Sequence, residues 1–422
     1  MEKAVLVGIG EEDGLREIER LAVSAGAEVL DKFVQHRKKI DPAYYVGKGK
    51  AGEIAAASHS LGIGLVIFDA ELSPAQQRNL EGVIGLKVID RTGLILDIFS
   101  QRARTSEGKL QVELAQLTHL LPRLAGYGVM MEQLGGGIGT RGPGETRLEY
   151  DRRRIRKRIT ILKREIEEIK KRRVLHRRSR RSPVVSLVGY TNTGKSTLLN
   201  KMTNAGVAVD DMLFATLDPT TRKAALPNSQ EILITDTVGF IRRLPHNLVV
   251  AFRATLEEIT QASLLLHVVD VSSFQMEEEM LAVRGVLKEI GAHLKPVITV
   301  FNKMDRCVSQ GFLERVLNST PDSVAISALT GEGLNLLQQN IARFLSAGRV
   351  TARFSFPYET GVKHLSVFYS RGEIYSKEIL DGRIIIEGSI DTEVAGKFEK
   401  YRVGNRQTHS PAGRGQQEKK GG

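Results

Sequence analysis

The sequence predicts an α/β protein built in several parts: a small α/β domain, a long antiparallel helical hairpin, a larger α/β domain around a phosphate-binding loop, and a small α+β domain. Three observations predict it. Short apolar runs alternate with helical patterns through residues 1–104, the signature of a largely parallel sheet. Two series of Leu and Ile with identical 4-3-4-3 spacing flank a glycine-rich stretch. A strand then runs straight into Gly189-Tyr-Thr-Asn-Thr-Gly194-Lys195-Ser196, a spacing that curls backbone amides around phosphate. With 422 residues, 41% of them apolar, the chain can bury two or three cores, and wholesale disorder is excluded.

In the first domain, 1–104, strands are expected at Ala4–Val7, Glu28–Val34, Leu65–Phe68 and Lys87–Ile89. Helical patterns fall between them at Leu15–Ser24, Gly49–Ser60 and Pro74–Val83. The Gly47-Lys-Gly49 turn before a helix offers a second, weaker phosphate site, although a plain turn is the commoner use of such residues.

Residues 105–182 read as the hairpin. Leu110, Leu114, Leu117, Leu121 and Leu124 form one narrow stripe; Ile155, Ile159, Leu162, Ile166 and Ile169 form the other. Between them, residues 126–144 hold eight glycines and Pro143. Each glycine costs a helix about 1 kcal/mol relative to alanine and a proline about 3, so this stretch is expected to be a tip loop. A second helix from Arg147 to Arg178 would be about 48 Å long. Ser182-Pro183 stops it, because proline disfavours helix in the preceding residue. Residues 183–347 form the phosphate-loop domain. In 348–403, strands are expected at Val350–Phe356, Glu373–Ile379 and Arg383–Ser389, with a helix at Thr392–Tyr401. Residues 404–422 contain no Ile, Leu, Val, Phe, Met or Tyr and read as a disordered tail.

Charge is concentrated in one place. Between Arg147 and Arg181 there are 17 Lys or Arg against 5 Asp or Glu, which equals the whole-chain excess of +12. Such a localised field suits a polyphosphate partner, RNA first among them. Its rivals are an acidic lipid surface and a simply solvated helix face. Membrane-surface helices usually carry a broad apolar face with bulky aromatics, whereas this stripe is narrow and aliphatic. The single cysteine, Cys307, fits a reducing compartment. No signal peptide and no span of about 18 apolar residues is visible, so a cytoplasmic protein without membrane insertion, at most peripheral there, is expected.

Four motifs then follow in order, each at a strand end. In the first, Lys195 should reach the β- and γ-phosphates and Ser196 should ligate Mg²⁺, while Gly189, Tyr190, Thr191, Asn192, Thr193, Gly194 and Thr197 complete the cradle. In Asp236-Thr-Val-Gly239, the carboxylate holds Mg²⁺ and the Gly239 N–H meets the γ-phosphate. In Asn302-Lys303-Met-Asp305, Asp305 accepts from the two guanine-edge donors that adenine lacks, and the Lys303 stem covers the base. At Ser327-Ala328, backbone N–H groups are candidates to hold guanine O6.

This set resembles the signatures of translation-factor-class P-loop GTPases. The resemblance implies a first-switch threonine completing the Mg²⁺ shell, for which Thr216 is the candidate and Thr220 and Thr221 its competitors. Lys195, Thr216 and Gly239 would then act on the γ-phosphate. Phe240 stands where many signalling GTPases carry the glutamine that orients water, so slow unassisted hydrolysis is expected. Asn192 matches the asparagine through which some GTPases bind K⁺ beside the phosphates.

The longer strings Tyr45-Val-Gly-Lys-Gly, Thr105-Ser-Glu-Gly-Lys-Leu-Gln-Val-Glu-Leu-Ala-Gln-Leu, Gly135-Gly-Gly-Ile-Gly-Thr-Arg-Gly-Pro-Gly-Glu-Thr and Leu213-Phe-Ala-Thr-Leu-Asp-Pro-Thr resemble the HflX family of ribosome-associated GTPases. That resemblance implies a monomer that binds GTP or GDP, the large ribosomal subunit and its rRNA, and that separates or recycles stalled 70S ribosomes under stress. Candidate ribosome contacts are Gly135, Gly136, Gly137, Arg141, Arg147, Arg152, Arg153 and Arg154. Two other classes stay open: a membrane-surface or signalling GTPase, and an ATP-driven RNA remodeller using the N-terminal domain.

Overall fold

The computed structural model describes residues 1–37, 39–124, 143–178, 182–203, 212–243, 245, 253–307, 309–347 and 349–403. Nearly all of the predicted tip, including Gly135, Gly136, Gly137 and Arg141, and the predicted tail fall outside these. Two units divide the chain, Met1–Ile341 and Ala342–Gly422.

The first unit begins with four parallel strands, β1 (Glu2–Ile9), β2 (Ala27–Gln35), β3 (Leu65–Phe68) and β4 (Lys87–Asp90), in the order β2-β1-β3-β4. Helices α1 (Arg16–Ser24), α2 (Lys48–Ser60) and α3 (Pro74–Ile84) supply the crossovers, and α4 (Arg91–Arg102) follows β4. Side chains of β1 alternate between two cores, as the period of two requires. Ala4 and Leu6 join Ile18, Leu21, Leu94 and Ile98 on one face; Val5 and Val7 join Ile54, Phe68 and Leu80 on the other. Ser73 and Gln76 form a capping box on α3, and Asp90 caps α4 at the Gly93 N–H, 2.7 Å away.

Helices α5 (Ser106–Arg123) and α6 (Pro143–Arg178) pack against each other. The two predicted stripes are covered: Leu162 is fully buried and the other nine Leu and Ile are half-buried. Arg158 forks onto Glu113 at 2.6 and 2.7 Å. The long helix begins at Pro143, earlier than the expected Arg147, because a proline in the first turn loses no hydrogen bond. Sequence periodicity also missed a second buried face of α5. Gly108, Gln111, Val112 and Ala115 are buried, and Arg123 reaches back to Asp90 at 2.8 Å. Burial would raise the Asp90 carboxyl, but His119, the Gly93 N–H and Arg123 together hold it below the usual carboxylate range.

The six-stranded sheet that follows contains β5 (Val184–Gly189), β6 (Thr220–Ala225), β7 (Glu231–Asp236), β8 (Leu264–Asp270), β9 (Val297–Asn302) and β10 (Ser323–Ala325). Its order is β10-β9-β8-β5-β7-β6, all parallel except β6 against β7. Helices α7 (Lys195–Thr203), α8 (Arg253–Gln261), α9 (Met276–Glu289), α10 (Gln310–Ser319) and α11 (Leu334–Ala347) complete it. One apolar cluster runs continuously from the N-terminal sheet into this domain, through Phe99 and Phe214, whose rings meet edge-to-face at 4.7 Å.

The second unit is an antiparallel sheet, β11 (Arg349–Pro357), β12 (Gly372–Leu380), β13 (Arg383–Asp391) and β14 (Arg402–Val403), in the order β12-β13-β11-β14. Helices α12 (Tyr358–Arg371) and α13 (Thr392–Lys397) accompany a core of Phe354, Phe356, Phe368 and Phe398. Helix α12 was not anticipated, since Gly361 weakens its pattern. There a Cβ would stand 3.0 Å from Ile384 and 3.1 Å from Phe356, so the glycine permits close packing. Among the described residues, no helix is long and apolar enough to cross a membrane.

Candidate functional site

Strands β5, β7 and β9 end at one edge of the six-stranded sheet, and the predicted motifs meet there. They border a cavity of about 1350 Å³ lined by Thr191, Asn192, Gly194, Lys195, Ser196, Thr197, Thr216, Gly239, Asn302, Lys303, Asp305 and Ala328. Gly194 is left-handed at φ +90°, and a Cβ there would collide with the Asn302 amide, so only glycine closes the loop. A Cβ on Gly239 would stand 2.8 Å from Thr191 and 3.1 Å from Lys195 Nζ. The Asp236–Gly239 turn, the second switch by the resemblance to P-loop GTPases, therefore lies directly on the phosphate loop. Two hydrogen bonds lace them: Thr191 N to Phe240 O at 2.8 Å, and Phe240 N to Gly189 O at 3.0 Å. The Phe240 ring itself is buried in the shared core, and its backbone carries the contact.

Lys195 Nζ donates to the carbonyls of Tyr190 at 2.6 Å and Gly189 at 3.2 Å. Burial, reinforced by Lys303, pulls the Lys195 ammonium down to about 8 despite Asp236 nearby. Beside it three oxygens converge. Ser196 Oγ donates to Asp236 Oδ2 at 2.6 Å, Thr216 Oγ1 donates to the same atom at 3.0 Å, and the two hydroxyls are 3.0 Å apart. Burial pushes the Asp236 carboxyl up, and its Oδ1 has no partner in the described structure. Thr191 Oγ1 is likewise buried and unpartnered. Of the three candidate threonines, Thr216 is the one at this cluster; Thr221 instead pairs with Thr235 across the sheet at 3.0 Å, and Thr220 starts β6.

On the base side, Asn302 staples two loops, donating to Thr193 O at 2.7 Å and accepting from Ala328 N at 2.9 Å. Ser327 N donates to Glu332 O at 3.0 Å. Both backbone donors considered for guanine O6 are thus engaged within the protein here. Lys303, left-handed at φ 62°, spans Asn192 O and Asp270 at 2.7 and 2.8 Å. Asp305 is exposed at the cavity mouth.

Sequence reasoning missed Asp270, and it missed the whole N-terminal wall. Arg16, Glu19, Arg20 and Lys32 line the same cavity from the first sheet's side. Both switches are also gripped from there. Leu213 N donates to Ser24 Oγ at 3.2 Å. Glu17 accepts from Arg242 at 2.7 Å and Arg91 at 2.5 Å, and Arg91 donates to Arg242 O at 2.7 Å. The Tyr190 phenol, pushed up by burial and by the Glu17 charge, accepts from Arg242 N at 2.9 Å. No local pattern marks such residues; they become adjacent only through the tertiary fold.

A parallel sheet whose strand ends gather a phosphate loop, an Asp-x-x-Gly turn and an Asn-Lys-x-Asp motif defines a P-loop GTPase. Family models match in chain order: GTP-binding GTPase N-terminal over residues 12–100, GTP-binding GTPase Middle Region over 102–180, and 50S ribosome-binding GTPase over 184–303. GTPase HflX of Escherichia coli strain K12 is 49% identical over 95% of each chain. That of Caldanaerobacter subterraneus is 46% identical over 95% of this chain and 94% of its own. The chain belongs to the HflX GTPase family. A GTP-binding protein from Sulfolobus solfataricus, solved with GDP, is 26% identical and covers 82% of this chain and 98% of its own at a TM-score of 0.44. The protein binds GTP and GDP and hydrolyses GTP.

Proposed function

We propose that this GTPase binds the large (50S) ribosomal subunit through helix α6 and uses its GTP cycle to split or recycle stalled 70S ribosomes. One observation carries the reading. Arg153, Arg154, Arg156, Lys157 and Lys163 are exposed on α6 and make no ion pair with any described residue, while the apolar stripe of the same helix is covered. Docking onto the neighbouring helix uses the stripe and leaves the cations over. Phosphate backbones of rRNA are the surface they suit. Arg152 is half-buried on the same helix, and Arg147 falls on its backbone with its side chain outside the described residues. A membrane-surface role would need the stripe free for lipid. Ribosome association makes the cytoplasm the working compartment.

Within the site, Lys195 and the amides of Gly189–Thr197 would hold the phosphates, and Asp305 the guanine edge. Ser196, Thr216 and Asp236 form a hard-oxygen set suited to Mg²⁺, and the buried, unpartnered Asp236 Oδ1 has the chemistry to face a cation. When bound, Mg²⁺ supplies charge neutralisation at the β- and γ-phosphates. Asn192 would add K⁺: it is left-handed at φ 61°, exposed into the cavity, and its carbonyl is taken by Lys303. Turnover faster in K⁺ than in Na⁺, with the difference lost in Asn192→Ala, is the expected result; equal rates remove the cation.

The main test is co-sedimentation with 50S subunits and GTP turnover with and without them, for the wild type and for Arg153→Glu/Arg154→Glu/Lys157→Glu. Basal turnover should be preserved, while 50S binding falls on the order of a hundredfold at moderate salt and stimulation disappears. Unchanged 50S binding, or stronger binding to acidic liposomes than to ribosomes, refutes the proposal.

A further inference from the structure

Two of the sequence strings, Thr105-Ser-Glu-Gly108 and Leu213-Phe-Ala-Thr216-Leu-Asp218, meet in the fold. The Asp218 carboxylate accepts three hydrogen bonds at the start of α5: from Arg104 N at 2.9 Å, Thr105 N at 2.8 Å and Thr105 Oγ1 at 2.5 Å. It thereby sits at the positive end of a helix dipole, where an anion is favoured. Gly108, in the first turn, leaves room for it; a Cβ there would collide with Asp218 Oδ1 and approach Thr105 Oγ1 to 3.1 Å.

Thr216 lies two residues before Asp218. On its other flank, Phe214 is held left-handed at φ 58° with its ring against Phe99 of α4, and Leu213 N is bonded to Ser24 Oγ of α1. Leu217 is buried in the shared core. These anchors of the Thr216 loop belong to residues 1–123, not to the sheet that carries the phosphate loop.

We infer that Asp218 is a positioning residue for GTP hydrolysis, fixing the Thr216 hydroxyl at the Ser196–Asp236 cluster by tethering the first switch to the N-terminus of α5. This rests on the assignment of Thr216 to the γ-phosphate side of the site. A threonine used there matters for the triphosphate and little for GDP, so loss of the tether separates hydrolysis from diphosphate binding. Misplacing a reacting constellation by a fraction of an ångström is enough to slow it severalfold to a hundredfold.

The test uses the full chain carrying Asp218→Ala, Gly108→Ala, both together, or Thr216→Ala. Single-turnover hydrolysis and fluorescent GDP and GTP-analogue affinities are measured in each. Asp218→Ala and Gly108→Ala should each lower kcat by about tenfold, with GDP affinity within about threefold of wild type. The double variant should be no slower than Asp218→Ala, because the added methyl then meets no carboxylate. Gly108→Ala is informative on its own, since its methyl displaces the Asp218 carboxylate without removing it, and a merely structural role predicts a change in stability with no split between hydrolysis and GDP affinity. It decides the question should Asp218→Ala not fold. Unchanged kcat in either single variant, equal loss of GDP and GTP-analogue affinity, or additive effects in the double variant overturn the inference. An unaltered kcat in Thr216→Ala sinks the underlying assignment as well; a defect there without one in Asp218→Ala sinks the tether alone.

Discussion

His267 lies inside β8 with 3% of its surface exposed. Burial, with the charges of Arg284 and Lys195 nearby, pulls the ring down from 6.5 to about 4. It is therefore neutral in the fold, while the unfolded chain takes up a proton as pH drops below about 6.5. Stability contributed by the neutral ring is full above that value and lost progressively toward about 4, worth roughly 3 kcal/mol. Urea unfolding should show wild type losing about that much relative to His267→Leu between pH 7 and pH 4. Parallel curves would refute the neutral, buried ring. At this scale the sequence was readable wherever chemistry forces a residue into a local pattern. Lys195, Ser196, Gly239 and Asn302 line one cavity, with Asp236 buried behind them and bonded to Ser196, and each belongs to a short motif at a strand end. The preference for Thr216 over Thr220 and Thr221 came from resemblance alone, because a lone threonine carries no pattern. In space Thr216 is the one bonded to Asp236 beside Ser196, while the register gives Thr221 to Thr235.

At the scale of elements, the paired helices show which interactions matter. Leu162 is fully buried, and trimming it to alanine removes contacts that its neighbours cannot recover, at about 2–4 kcal/mol. Arg158→Met removes an ion pair half open to water and should change little. Hydrogen exchange along α5 and α6 checks both: protection should collapse in Leu162→Ala and persist in Arg158→Met, and the reverse order would contradict the burial argument. The 4-3-4-3 spacing exposes this seam because it persists over about four turns of each helix. Gln111, Val112 and Ala115, the other buried face of α5, were invisible by the same logic. A helix covered on two sides superimposes two periodicities, and neither stands out. Helix α12 escaped for a related reason, its Gly361 serving packing at the expense of propensity.

Across residues 1–341, the N-terminal sheet and the nucleotide domain share one apolar core rather than meeting at a polar seam. Glu17, Arg91, Arg242 and Tyr190 add a buried polar knot at the second switch. Each carboxylate oxygen of Glu17 is matched to an arginine, which is what lets such charges be buried at all. The alternation of strands and helices announced both sheets, but nothing in it announced their union, because side chains from distant stretches build the interface. The edge-to-face stack of Phe99 and Phe214 has a consequence for how the protein can be re-engineered. Grafting the leading hundred or so residues from a distant relative onto this nucleotide domain would leave the Phe214 ring without its receptor. Swaps that carry Phe99 and the first-switch loop together are the ones that preserve a working hybrid, so these two stretches are best treated as a single heritable piece.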